Sequence, residues 1–216
     1  MILQQKIELI VCLCRENEFN QQYYWPTDKQ TSLNIMSLKV TLQSVKETSN
    51  SIQRIFTVEN STENVSRTVV ILQQNIKTAN ALNGNGSQAI NANVTTTTGI
   101  GLNELPENVS GFLKFVKECE NFYLTQQRNR SHPILVHCMN GVSRSAVFLL
   151  VFTMIQVIDD SSGSSSTQTS SISSEFMIKL IKNMRSKRKY MIQSIYHLKY
   201  SYDALLYYMK GILKKL

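Results

Sequence analysis

Hydrophobic positions in the first third of the chain run with a strand period, and in the second half with a helical one. Ile7-Glu8-Leu9-Ile10-Val11-Cys12-Leu13-Cys14 is nearly continuous in apolar residues, and Lys6 to Cys14 reads as a buried strand. Leu33 to Val45 alternates as a second strand. Ser51 to Val58 follows closely enough to pair with it as a hairpin, and Ser66 to Gln73 is a further β-branched strand. Helical spacing begins after Pro106, where Phe112, Phe115, Val116, Cys119, Phe122 and Tyr123 share one face. Pro133-Ile134-Leu135-Val136-His137 is short and apolar, the pattern of a strand in the middle of a sheet. A helix follows from about Ser143 to Ile158, and two more close the chain, Ser174 to Ser186 and Ile195 to Leu213. Strands first and helices later, with one strand-loop-helix unit between them, predict an α/β (α+β) fold with a central mixed sheet flanked by helices.

Two tracts break this pattern. Residues 75–99 are rich in Asn, Thr and Gly, and residues 161–174 are nearly pure Ser and Thr. Neither has an apolar face to bury, so both read as solvated insertions in one domain spanning residues 1–216. That length suffices for a real core without disulfides or metal staples.

The net charge of +8 is concentrated at Arg185, Lys187, Arg188 and Lys189 and at the tail Lys210, Lys214 and Lys215. Most simply this is a solvated helix face and a basic end. No nucleic-acid-binding motif accompanies it, and a nucleic-acid partner is not expected. The four cysteines, Cys12, Cys14, Cys119 and Cys138, have the spacing of neither a paired CxxC metal site nor a disulfide framework. Cys12, Cys14 and Cys119 read as core thiols, which suits a reducing compartment, and no metal or cofactor is implied. The first residues lack the pattern of a secretory signal, and the longest apolar stretch, Ala146 to Ile158, is too short to span a bilayer. A cytoplasmic protein is expected.

The strongest chemical signal is His137-Cys138-Met139-Asn140-Gly141-Val142-Ser143-Arg144-Ser145. A strand that ends in His-Cys and reaches Arg six residues later, at a helix start, makes an anion cradle. Backbone N–H groups from Met139 to Ser143 turn inward at the positive end of a helix. The same potential favours the thiolate of Cys138, the nucleophile. Arg144 offers a planar fork for two phosphate oxygens. Gly141 lets the backbone approach the ligand, and Ser145 can donate a hydrogen bond to the thiolate when it leaves.

His137-Cys138-x-x-Gly141-x-x-Arg144-Ser145 resembles the signature of the classical protein tyrosine phosphatases. Tyr24-Trp25-Pro26 is similar to a second element of that family. Met191-Ile192-Gln193-Ser194, with Tyr200, Tyr202, Ala204 and Leu205, is similar to its glutamine loop and last helix. The resemblance covers nearly the whole chain outside the two polar tracts. It implies a phosphotyrosine protein or peptide as partner, a cysteinyl-phosphate mechanism, and Gln193 as a water-positioning residue. Leu105-Pro106-Glu107, Arg188 to Gln193 and His197-Leu198 are similar to a family member that serves as an endosomal-sorting scaffold and whose phosphatase domain is a weak or inactive enzyme. By that resemblance alone, endosome association and endosomal-sorting partners are expected.

Departures from the family's pattern bear on activity. The family's general acid is an Asp just before the position of Leu105-Pro106, where this chain has Leu102. Ser143 and Ala146 stand where the family usually has glycines, and His197 stands at a second glutamine. By the resemblance, the chain is expected to begin at a strand well inside the family's domain, without the segment that clamps phosphotyrosine, as a fragment or with a shallow pocket. The expectation is a phosphate-binding domain of impaired turnover. One alternative is an active phosphatase using Glu104 or Glu107 as acid; another is an interaction module in which the cradle is a remnant. A lipid phosphatase would suit the charge, but the Tyr-Trp-Pro and glutamine-loop matches favour the tyrosine-specific branch.

Overall fold

The computed structural model describes residues 1–19, 22–28, 31–75, 105–126, 132–162 and 174–213. Six strands form one mixed sheet: β1 (Leu9–Cys12), β2 (Ser32–Ile35), β3 (Leu38–Glu47), β4 (Ser51–Asn60), β5 (Val65–Gln74) and β6 (Ile134–His137). The helices are α1 (Val109–Gln126), α2 (Arg144–Ser162), α3 (Ser174–Lys187) and α4 (Ile195–Leu213). The spatial strand order is β2-β3-β4-β5-β1-β6. β2 to β5 form an antiparallel meander, whereas β1 is parallel to both β5 and β6. The mixed α/β architecture is the one expected, and both low-complexity tracts lie largely outside the described residues.

Local chemistry sets several boundaries. The expected strand from Leu33 to Val45 is two strands, because Met36 adopts φ 52° and turns the chain between β2 and β3. In the β3–β4 turn, the Thr48 hydroxyl accepts hydrogen bonds from the N–H groups of Asn50 and Ser51. The helix expected after Pro106 starts where Asn108 caps it, its Oδ1 accepting from Gly111 N–H at 3.0 Å.

Alternation along the strands gives the sheet two apolar faces. Leu9, Val11 and Leu13 of the β1 segment, with Val70 and Leu72, pack against buried residues of all four helices. Ile10, Cys12, Cys14, Phe56, Val69 and Ile71 pack on the opposite side against Ile7 and Trp25. Among the described residues the helices pack on one face of the sheet. α2 is central to their layer: Ala146, Phe148, Leu150, Val151, Met154 and Ile155 are each 0% exposed. Lys117 of α1 bridges Glu120 and Asp159, and Tyr208 of α4 donates to Asp159 at 2.6 Å, so one polar cluster joins α1, α2 and α4.

β6 departs from expectation. Its apolar run predicted a central strand, yet among the described residues it pairs only with β1 and stands at the sheet's edge, each residue half-buried. The apolar character follows from its location between the helix layer and the opposite face, where Ile134 and Val136 pack one way and Leu135 the other.

Phe148 lies 6.0 Å from Phe115 and 5.6 Å from Phe152 between ring centroids. Phe148→Ala is therefore expected to cost about 3–5 kcal/mol, read as a lowered urea midpoint at unchanged m-value. A loss below about 1 kcal/mol, within the range of surface substitutions, would contradict this packing.

Candidate active site

The parallel trio β5-β1-β6 delivers two chain ends to one place. β6 ends at His137 and passes into the loop that leads to Arg144, the first residue of α2. β1 ends at Cys12, and the chain turns through Leu13 and Arg15 into a 3-10 helix, Glu16–Phe19. Leu13 N–H donates to His137 C=O at 2.9 Å, extending the β1–β6 contact past the strand ends.

Arg144 is 5% exposed, and its guanidinium makes three hydrogen bonds to the β1 segment and the helix after it. Nη1 donates to Glu18 Oε2 and Nη2 to Glu18 Oε1, each at 2.8 Å, a bidentate pair; Nη1 also donates to Leu13 C=O at 2.7 Å. A planar guanidinium held at two donors by a carboxylate is fixed in orientation as well as position. Burial works to lower the Arg144 pKa, but the hydrogen bonds and charge of Glu18 outweigh it and raise it. For Glu18 partial burial pushes the carboxyl up, while Arg144 and the Arg15 N–H together hold it below the usual range. Glu18 was not anticipated from the sequence. Its only local signal is the reach back to Arg15: Arg15 N–H donates to Oε2 at 2.7 Å, and Glu18 N–H donates to Arg15 C=O.

Cys138 is 7% exposed, and its Sγ accepts from the Gly141 N–H at 3.2 Å. Met139 and Asn140 are exposed, and Gly141 and Val142 are half-buried. Gly141 adopts φ +69°, and a Cβ there would lie 2.9 Å from Arg188 Nη2. The left-handed backbone favours glycine here, and a side chain would also have to displace the end of Arg188. Ser143 is buried and begins the helix ladder, its C=O accepting from Val147 N–H at 3.0 Å. Ser145 Oγ is buried and has no hydrogen-bond partner among the described residues, so it does not contact the thiol in this state. Ala146 packs in the helix-layer core, so its methyl points to packing and not into the loop.

A second segment braces the loop. Arg188 Nη2 donates to Asn140 C=O at 3.1 Å, Ile192 N–H to Val142 C=O at 3.2 Å, and Gln193 Nε2 to Ser143 Oγ at 3.2 Å. That segment is itself held by Arg185, which donates to the C=O groups of Met191 and Ile192. Tyr190 and Ile192 both have positive φ, and the turn they make sets these three contacts side by side. His197 is buried at 2% and lies in α4. Leu102 and Glu104 fall outside the described residues, and Glu107 is exposed just ahead of α1.

His137 is held from both sides: Nε2 pairs with Tyr24 Oη at 2.7 Å, and Nδ1 lies 3.9 Å from Cys14 Sγ. Cys12, Cys14 and His137 place their donor atoms within 4.8 Å of one another. Nothing in the linear spacing of the cysteines indicated this. The neighbouring Cys14 thiol, with burial, raises the Cys12 pKa, and the Cys12 thiol lowers that of Cys14 against its own burial. Trp25 is 4% exposed and stacks under Arg54 at 5.3 Å, a packed core aromatic.

Because the Glu18 carboxyl has a depressed pKa in the fold, its pairing with Arg144 stabilises the protein fully above the unfolded glutamate value of about 4.3. That contribution is lost as pH falls through the lower folded value. Glu18→Gln is expected to lower the urea midpoint at about pH 7 and to lower it far less at about pH 3. An equal decrement at both would show that Glu18 contributes packing rather than charge.

Among the described residues no helix is long and apolar enough to cross a membrane. The sequence model of the family described as protein-tyrosine phosphatase matches residues 1–78 and 83–207. The chain is 26% identical over 218 residues to human tyrosine-protein phosphatase non-receptor type 23, covering 100% of this chain and 11% of that protein. It is 28% identical over 222 residues to tyrosine-protein phosphatase 2 of Dictyostelium discoideum, covering 100% of this chain and 49% of that one. Against tyrosine-protein phosphatase non-receptor type 2 of Mus musculus the identity is 29% over 210 residues, 95% of this chain and 43% of the relative. The chain spans half or less of the length of these relatives. With the family's model matched over nearly its whole length and a mixed sheet presenting a Cys-to-Arg loop at a helix start, the chain belongs to the protein tyrosine phosphatase family.

Proposed function

We propose that this domain binds phosphotyrosine in the loop from Cys138 to Arg144 and hydrolyses it slowly, for want of a proton donor. The observation that carries the binding half is the Arg144–Glu18 pair, 2.8 Å at both contacts, beside a Cys138 sulfur that accepts the Gly141 N–H. A guanidinium already oriented loses little freedom when phosphate oxygens reach it, and the helix start adds its N–H groups.

In the reaction the Cys138 thiolate attacks phosphorus and the bond to the phenol oxygen breaks, leaving a cysteinyl phosphate and a phenolate. The phenolate needs a proton to leave readily. The family supplies it from an Asp, and this chain has Leu102 at that position. Loss of a general acid costs on the order of 10²–10⁴ in rate. Water then attacks the cysteinyl phosphate, releasing phosphate and restoring the thiolate. Gln193, anchored to Ser143 in the loop itself, is the residue we assign to orienting that water. We place the domain, by its likeness to a sorting scaffold, within an endosomal trafficking protein that meets phosphotyrosine partners and sorting machinery. That likeness supports the setting, and the loop supports the chemistry.

Two experiments test this reading. Vanadate is expected to raise the melting temperature of the wild type, and Arg144→Ala to abolish the shift; equal shifts would mean that the loop is not the binding site. An aryl phosphate whose phenol leaves without protonation is expected to turn over measurably, with loss in Cys138→Ser. Phosphotyrosine is expected to be slower by roughly 10²-fold or more, with partial recovery in Leu102→Asp. Fast phosphotyrosine turnover by the wild type that is lost in Glu104→Gln or Glu107→Gln would replace this reading with that of an active phosphatase.

A further inference from the structure

Directly behind the phosphate loop, on the sheet face away from the helices, three soft or borderline donors converge. Cys12 and His137 are register partners on the parallel strands β1 and β6, so their side chains leave the sheet on the same face. Cys14 lies two residues beyond Cys12 and returns to that face. The three donor atoms lie within 4.8 Å of one another, and Cys14 Sγ is 3.9 Å from His137 Nδ1. Around a tetrahedral zinc ion, sulfur and nitrogen donors stand about 3.6–3.8 Å apart, so rotations that close the widest gap by about 1 Å suffice.

We propose that Cys12, Cys14 and His137 form a binding site for a thiophilic cation of the zinc class, with His137 coordinating through Nδ1. Four features support it. All cysteines of the chain are free, so neither thiol is committed to a disulfide. Tyr24 Oη at 2.7 Å holds His137 Nε2, the outer partner that orients a ligating imidazole and directs its other nitrogen inward. Two thiolates cancel the charge of a dication, which keeps the cost of burial beneath Trp25 low, and sulfur ligands exclude magnesium and calcium. The field of Arg144, which reaches Cys14, is compensated by Glu18.

Three protein ligands leave a fourth position for water. That is the coordination of an open, exchangeable site rather than a closed structural one. Tyr24, which holds His137, is 47% exposed, whereas Cys12 and Cys14 are buried. Binding releases the thiol protons. It also ties together β1, β6 and the Tyr24 segment at His137, the residue before Cys138. The site therefore does not include the nucleophile, and its occupancy grips the root of the loop.

Titration of the metal-free chain with cobalt(II), followed by zinc competition, tests the assignment. One equivalent is expected to bind with a thiolate-to-cobalt charge-transfer band, retained within about twofold in Cys138→Ser, where the nucleophile is gone. The remaining thiol, Cys119, lies in the helix-layer core on the other side of the sheet. Cys14→Ser is expected to weaken binding at least tenfold, and Tyr24→Phe, which keeps both sulfurs, about 10-fold or more. Absence of the band in wild type would overturn the proposal. So would its loss in Cys138→Ser, which would put the metal on the nucleophile instead. Because the Cys138→Ser result decides between the two without touching the proposed ligands, poor folding of the Cys14 variant leaves the test intact.

Discussion

The buried guanidinium of Arg144 is the constraint around which this half of the molecule is arranged. A charge 5% exposed at the start of a helix cannot be left unpaired, and the helix start itself carries partial positive charge, which aggravates the problem. The fold answers with Glu18 and the carbonyl of Leu13, both supplied by the chain leaving β1. That answer depends on β1 and β6 being adjacent and parallel, so that both strands finish at the same end of the sheet. The same adjacency brings Leu13 N–H to His137 C=O and closes the two segments on each other.

The loop between Cys138 and Arg144 is consequently held from two sides by different chemistry. On the β1 side the attachments centre on the ion pair of Arg144 with Glu18, with Leu13 adding backbone hydrogen bonds. On the α3–α4 side they are mostly backbone-directed, from Arg188, Ile192 and Gln193 to Asn140, Val142 and Ser143. A loop whose carbonyls are engaged outward keeps its remaining N–H groups for an anion, which is how backbone alone makes an oxyanion site. Gly141 sits where the bracing is tightest, against Arg188. The turn bearing Tyr190 and Ile192, both at positive φ, carries the strain of placing three donors in a row.

The two faces of the sheet divide the labour. The helix-layer face buries the long apolar face of α2 and fixes the direction from which α2 presents its first residue. The opposite face holds a thiol pair, an imidazole and an aromatic group of Phe19, Tyr23, Tyr24 and Trp25. His137 joins the two, because its backbone leads into the loop while its ring lies among the thiols. Chemistry at that face can therefore act on the loop without occupying it.

The sequence by itself determined the order and type of most elements, because strand alternation and the apolar face of α1 are local properties that the chain carries wherever it folds. The strand-loop-helix unit around Cys138 was visible for the same reason: its strand, glycine, arginine and helix start lie within a dozen residues. Tertiary structure decided what lies far apart along the chain. Glu18 meets Arg144 across 126 positions, and Cys14 meets His137 across 123, both through the single register of β1 on β6. Among the described residues, the same packing put β6 at the sheet's edge and the four helices on one face, since an apolar run records that a residue is buried but not what buries it. The contact between Arg188 and Gly141 belongs to this class as well. A glycine in a loop signals backbone freedom, and only the folded chain shows that a guanidinium fills the space a side chain would have taken.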